Sequence, residues 1–202
     1  MQGRKARDSK LDKILSNSHN LLLQDTDRRH LVKIYQDLGY RVGAEIGVGG
    51  GVFSEMICQA IPGVKLYAID AWKPYDKYTD FTSADYLERD YQKALAALSQ
   101  FDVTIIRKFS MDAVKQFEDR SLDFVYIDAN HEEPYISKDI REWSRKVRSG
   151  GMVSGHDYVP QVHPAVKRAV DKYATRPLFL VGDPTEVGSN EQKLLSWFWI
   201  KR

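Results

Sequence analysis

Along most of the chain, short continuous apolar runs alternate with stretches whose apolar positions recur every three or four residues. The first pattern is that of buried strands, the second that of helices with one packed face. Strands are expected to end at Ile46 and to cover Val64–Ile69, Val103–Arg107, Leu122–Ile127, Met152–Gly155, Leu178–Val181 and Leu194–Ile200. Between them, Val52/Phe53, Met56/Ile57 and Ala60/Ile61 mark a helix stopped by Pro62-Gly63. Thr82-Ser83-Ala84-Asp85 has the form of a capping box and opens a helix running to Leu98. Ser110 reads as the N-cap of another. Ile136, Ile140, Trp143 and Val147 share a helix face that ends at Gly150-Gly151, and Pro164–Tyr173 forms the last helix. Upstream, Leu11, Ile14 and Leu15 make one short stripe, and Leu31, Ile34, Tyr35 and Leu38, closed by Gly39, make a second. Strand and helix in alternation predict an α/β, doubly wound, mostly parallel sheet.

The first strand runs into Ala44-Glu45-Ile46-Gly47-Val48-Gly49-Gly50-Gly51-Val52-Phe53-Ser54. Strand, glycine turn and helix form the first half of a nucleotide-binding βαβ unit, with the backbone open to close approach by a ligand. A dinucleotide fingerprint places a third glycine where Val52 stands, and no Gly-Lys-Ser/Thr of a P-loop follows. Glu45 lies two residues before Gly47, and no Lys or Arg occurs from 44 to 54. A carboxylate there repels a phosphate and attracts an ammonium or sulfonium. Asp70, with Ala71 beside it, ends the second strand 25 positions after Glu45, near the offset at which such folds place a ribose-binding acid. Trp72 either lies against an adenine or belongs to the core. Lys73–Phe81 falls in an aromatic stretch that either packs or helps form a substrate lid.

Two later strands end in titratable groups, Ile127-Asp128-Ala129-Asn130-His131 and Gly155-His156-Asp157-Tyr158. Parallel strands deliver Asp128, His131, His156 and Asp157 to one sheet edge, a convergence that marks a site rather than packing. With the glycine turn, the helix holding Asp139 and Trp143, and Gly150-Gly151-Met152-Val153, these pieces resemble class I S-adenosylmethionine-dependent methyltransferases. The likeness is to the small-molecule O-methyltransferase-like branch and spans about Tyr40 to Ile200.

The resemblance implies a Rossmann-like sheet of seven strands with an antiparallel last strand. It places the S-adenosylmethionine-binding domain over 41–202, while charge and periodicity make 1–40 a basic tail and helices. It also implies cofactor contacts from Glu45, Gly47, Gly49, Asp70, Ala71, Ser110, Met111, Asp112 and Asp128. Transfer to an oxygen is assisted by a general base, for which His131 stands first and His156 second, with Asp128 at the methionine end. A divalent metal such as Mg²⁺ on Asp128, His156 and Asp157 is the other route, although relatives using a metal carry Asp-Asn or Asp-Asp where His156-Asp157 stands. An NAD-dependent oxidoreductase suits Asp70 but not Val52 or Glu45, and a non-catalytic cofactor-binding scaffold is the third reading.

Composition changes this picture little. A 43% apolar fraction over 202 residues suits one globular domain. The formal charge of +2 is local: Arg4, Lys5, Arg7 and Lys10 against Asp8 make the first ten residues +3, leaving −1 for the rest. That basic end reads as a solvated tail, and with no basic, aromatic-interleaved stretch in the body, nucleic acid is not expected as a partner. The Asn-Pro-Pro-Tyr signature of amino-methylating DNA enzymes is likewise replaced by Asp128-Ala129-Asn130-His131. The expected partner is a small-molecule acceptor. The helices of 11–40 lean either on the domain or on a second subunit, making a homo-oligomer in the latter case. Cys58, the single cysteine, sits on an apolar helix face as a core residue. One thiol, no signal-peptide pattern and no apolar run near the ~18 residues of a membrane span read as a cytoplasmic location.

Overall fold

The computed structural model of the chain describes residues 21–23, 26–74, 83–183 and 195–202. In chain order the elements are β1 (Leu21–Leu23), α1 (Arg28–Asp37), β2 (Val42–Ile46), α2 (Val52–Ala60), β3 (Lys65–Asp70) and α3 (Ala84–Leu98). Then come β4 (Val103–Arg107), α4 (Ser110–Ala113) running into a 3₁₀ turn, β5 (Leu122–Ile127) and α5 (Tyr135–Lys146). The last are β6 (Val147–Gly155), α6 (Pro164–Tyr173), β7 (Phe179–Val181) and β8 (Ser196–Ile200). They form one sheet in the order β1-β7-β8-β6-β5-β2-β3-β4, parallel except for β8, which runs antiparallel to β6 and β7.

The sheet has eight strands where seven are expected. The addition, β1, pairs parallel with β7 at the edge, within a stretch read from sequence as helical. Three leucines are too short a run to show any period, so pairing with β7 alone defines the strand. The expected helix around Leu11–Leu15 and the lid segment from Tyr75 to Phe81 lie outside the described residues.

Two apolar layers cover the sheet. On one face α1 and α2 bury Leu31, Tyr35, Phe53 and Ile57 against Phe124, Tyr126 and Met152. Tyr35 stacks on Phe124 at 4.2 Å, and Phe53 packs on Tyr126 at 4.1 Å. On the other face α5 and α6 bury Ile136, Ile140, Trp143 and Val166 against Val125, Val153 and Trp197. Cys58 is buried in the first layer and its thiol is pushed up to about 12, chiefly by burial, as befits a core residue.

Two local expectations need correcting. Gly150-Gly151 does not stop α5, which ends at Lys146; the pair lies inside β6, where the register with β5 shifts after Leu122. Ser110 is not an N-cap: Phe109 holds that position, without a capping side chain. The Ser110 hydroxyl instead donates to Asp139 and accepts from Trp143 Nε1 at 2.8 Å. A buried acid and indole on α5 outcompete the cap because each otherwise lacks a partner in the core.

The topology has a switch point between β2 and β5. From β2 the chain moves to β3 on one side, and later returns to lay β5 on the other. In open α/β sheets a crevice for ligands forms there, at the carboxyl ends of the strands.

Candidate active site

The glycine turn fills this switch point. Gly47 has φ +90°, and a Cβ on it would stand 2.0 Å from the Asp128 carbonyl oxygen. Only glycine lets the end of β2 pass this closely beneath the end of β5. Backbone bonds from Asp128 N to Ile46 O (2.7 Å) and from Gly47 N to Ile69 O (2.9 Å) hold the three strand ends together. Gly49 also lies at positive φ, +51°, but a Cβ there would meet nothing within 4 Å. The turn is therefore packed on its Gly47 side and open on its Gly49 side.

Asp70 shapes the same turn. Its Oδ2 accepts from Val48 N (2.9 Å) and Gly49 N (3.1 Å), and its Oδ1 from Trp72 N (2.8 Å). Burial raises its pKa against the lowering effect of these amides. Trp72 takes the core alternative: it is buried, and its indole N–H donates to Gly49 O at 2.9 Å. Glu45 points beneath the turn onto α2, where it accepts a hydrogen bond from Ser54. Burial, helped by Asp128 and Asp70 and opposed by Ser54 and Arg28, pushes its carboxyl up to about 8. From its place in the sequence Glu45 is expected as a fixed negative charge; this environment holds it neutral near pH 7.

Beyond β3, a cleft of about 390 Å³ is lined by Ala71, Lys73, Arg107, Lys108, Phe109 and Asp112. Ala71 and Asp112 thus share one cavity. Asp112 is exposed and paired with Lys115 at 2.8 Å, while Met111 packs on the core. Ser110 faces α5 through its bonds to Asp139 and Trp143. Burial pushes the Asp139 carboxyl up to about 7 against the hydrogen bond from Ser110.

The strand-end acids and histidines do converge. Asp157, at φ +60° and only 7% exposed in its side chain, is the hub. His131 Nε2 lies 3.0 Å from its Oδ2, and His156 Nδ1 lies 3.2 Å from its Oδ1. Asp128 Oδ1 stands 3.6 Å from His131 Nε2 and 4.0 Å from His156 Nδ1. Burial disfavours a charged Asp157, yet hydrogen bonds from His131 and His156 outweigh it and hold the carboxylate well below the usual range. For His156, burial opposes the charged ring, but Asp128 and Asp157 prevail and raise its pKa. His156 Nε2 is buried without a hydrogen-bond partner among the described residues. One donor atom each from Asp128, His156 and Asp157 fall within 4.8 Å of one another, the spacing a metal trio needs.

Sequence reasoning missed two participants. His163, the residue before α6, brings Nε2 to 4.0 Å from Asp157 Oδ1 and its ring to 4.3 Å from that of His131. Its one sequence signal is its place just beyond the second titratable strand end. Arg28 opens α1 and is 8% exposed, with its guanidinium 5.5 Å from the Phe53 ring. Its charge acts on Glu45, Tyr126 and His156. Nothing in an isolated arginine signals that position.

A glycine turn at a sheet switch point, touching through Gly47 the strand end that carries Asp128 of a buried acid–histidine cluster, is the arrangement of a Rossmann-like domain. The chain belongs to the methyltransferase-domain family, whose sequence model matches residues 44–158. Its fold is that of solved S-adenosylmethionine-dependent methyltransferases. The O-methyltransferase from Bacillus cereus, solved in complex with SAH, is similar with a TM-score of 0.63 at 14% identity, over 96% of this chain and 90% of that one. TomG from Streptomyces achromogenes, an O-methyltransferase involved in tomaymycin synthesis and solved with SAM, is similar with a TM-score of 0.62 at 16% identity, over 86% and 79%. Among curated proteins, the uncharacterized protein y4gI of Sinorhizobium fredii (strain NBRC 101917 / NGR234) is 26% identical over 125 residues, 59% of this chain. The chain spans only 13% of the length of that relative. No helix among the described residues is long and apolar enough to cross a membrane.

Proposed function

We propose that the protein transfers a methyl group from S-adenosylmethionine to an oxygen of a small-molecule acceptor, with His156 as general base. The observation that carries this reading is the pairing of an open glycine turn with a buried acid–histidine cluster around Asp157, joined through the strand ends at Gly47 and Asp128. The cofactor fits this chain's residues: the open side of Gly49 admits close backbone approach, and the cleft at Ala71, Phe109 and Asp112 suits a nucleoside. Glu45, Gly47, Gly49, Asp70, Ala71, the Ser110–Asp112 turn and Asp128 are the proposed contacts. When bound, S-adenosylmethionine supplies an electrophilic sulfonium methyl. The rest is positioning and proton control.

What favours His156 over His131 as the base is which ring nitrogen faces Asp157. His156 turns Nδ1 to Asp157 at 3.2 Å, which leaves Nε2 to take a proton, whereas His131 turns Nε2 itself onto the carboxylate at 3.0 Å. Asp157 fixes the ring and stabilises the imidazolium that forms, while Asp128 adds a second negative charge 4.0 Å from Nδ1. His131 steadies Asp157 from its other oxygen.

Thermal unfolding with S-adenosylhomocysteine, with NADH as control, tests the cofactor. At about a hundredfold over its dissociation constant a ligand adds roughly 2.7 kcal/mol, which shifts Tm upward by several degrees. Labelled methyl transfer to a panel of hydroxylated small molecules tests the base, with His156→Asn expected to lower kcat by roughly 10²-fold or more. Stabilisation by NADH alone would point to the oxidoreductase reading. Cofactor binding without transfer to any acceptor would favour the scaffold.

A further inference from the structure

Asp157 is contacted by more imidazoles than a single general base requires. We propose that His131, Asp157 and His163 form a binding site for one borderline divalent transition-metal ion of the Zn²⁺ or Co²⁺ kind, distinct from the trio of Asp128, His156 and Asp157. One donor atom from each of the three lies within 4.8 Å of the others, so a single ion reaches all of them after small side-chain adjustments. His131 Nε2 approaches Oδ2 of Asp157 at 3.0 Å, and His163 Nε2 approaches Oδ1 at 4.0 Å. The two rings stand 4.3 Å apart and inclined at 53°, which brings both nitrogens to the same carboxylate rather than laying one ring over the other.

Donor chemistry selects the class of ion. Two imidazoles and one carboxylate suit Zn²⁺, Co²⁺, Fe²⁺ or Ni²⁺, whereas Mg²⁺ calls for oxygen donors and retained water. The alternative trio offers two carboxylates and a single imidazole, a donor set closer to the oxygen sites of harder ions. His131 and His163 are 13% and 17% exposed, enough to admit an ion and leave a position for water or an acceptor oxygen. Both trios share the Asp157 carboxylate. The three ligands come from the loop after β5, the end of β6 and the residue capping α6, so an ion here ties three segments together. Binding therefore stabilises the fold whether or not an acceptor is present. The site also leaves His156 Nε2 outside the coordination sphere.

The test uses the chelator-treated, dialysed 202-residue chain and titrates Co²⁺, Zn²⁺ and Mg²⁺ separately, by calorimetry and by the visible absorption of Co²⁺. The expected result is one equivalent of Co²⁺ or Zn²⁺, a raised Tm, and no comparable response to Mg²⁺. His163→Ala should weaken Co²⁺ binding roughly a hundredfold or more, since loss of a mere supporting contact already costs 10- to 100-fold. His163→Gln, a gentler change at a partly exposed position, guards against misfolding. Asp128→Asn, which removes a charge 3.6 Å from His131 Nε2 but no donor of this site, should weaken Co²⁺ binding far less than the His163 variants do. No saturable Co²⁺ or Zn²⁺ binding by the unmodified chain overturns the proposal. So does binding that survives both His163 variants and falls with Asp128→Asn. None of these readouts depends on methyl transfer, so the metal site and the proposed activity stand or fall separately.

Discussion

At the scale of the residue, Glu45 shows how a side chain's meaning changes with burial. Its carboxyl is 2% exposed, bonded to Ser54, and pushed up to about 8, mainly by desolvation. A folded-state pKa above the unfolded one means the folded chain holds the proton longer. The favourable contribution is complete below about pH 4.5 and is lost progressively as pH rises to about 8, where it levels off. At pH 7 the loss is of order 3 kcal/mol. Glu45→Gln keeps an acceptor for Ser54 and removes the titration. The variant should match the wild type near pH 4.5 and be more stable by a margin that widens to pH 8, as read from urea midpoints across that range. A margin independent of pH would mean that Glu45 is ionised in the folded chain.

At the scale of the element, the glycine turn separates two uses of one residue type. Gly47→Ala places a Cβ against the Asp128 backbone carbonyl and adds a positive-φ penalty, so the strand ends must part. The expected outcome is loss of several kcal/mol and of soluble protein. Gly49→Ala meets no atom and carries only the roughly 1–2 kcal/mol of its left-handed conformation. It should fold, yet bind S-adenosylhomocysteine at least tenfold more weakly by calorimetry, because the new methyl projects into the open side of the turn proposed for the cofactor. Equal affinity of Gly49→Ala and wild type would move the cofactor away from this turn.

This contrast also shows what a sequence can carry. The strand, turn and helix around Gly47–Gly51 were legible because period and glycine spacing are local properties. So were Asp128, His131, His156 and Asp157, because parallel strands must end on one edge. Ser110 was misjudged as a cap because its competitors, Asp139 and Trp143, lie 29 and 33 residues away. His163 and Arg28 were illegible for the same reason: each reaches the site through packing that no spacing rule encodes. The strand Leu21–Leu23 exists only through its pairing with β7.

At the scale of the whole molecule, motif content and folding unit part company at residue 40. Residues 41–202 hold the glycine turn and the entire acid–histidine cluster, yet the layer over one face of the sheet begins earlier. Leu31, Val32, Tyr35 and Tyr40 are each at most 1% exposed. Tyr35 stacks on Phe124 and shares a 2.5 Å hydrogen bond with Ser154, and the Tyr40 hydroxyl donates to Gly150 O at 2.8 Å. Removing one such buried side chain from a core costs about 2–5 kcal/mol, and four exceed much of the 5–15 kcal/mol that holds a domain together. Truncation would also bare the apolar ring of Phe124 and leave the Ser154 hydroxyl with Val125 O as its remaining bond. A fragment beginning at Arg41 should therefore lack a cooperative thermal transition and bind no S-adenosylhomocysteine, despite carrying every motif. Both are checked on the refolded fragment by circular dichroism and calorimetry. A sharp transition with wild-type cofactor affinity would show that α1 is an accessory layer, and that Arg28 reaches the site without being needed to build it.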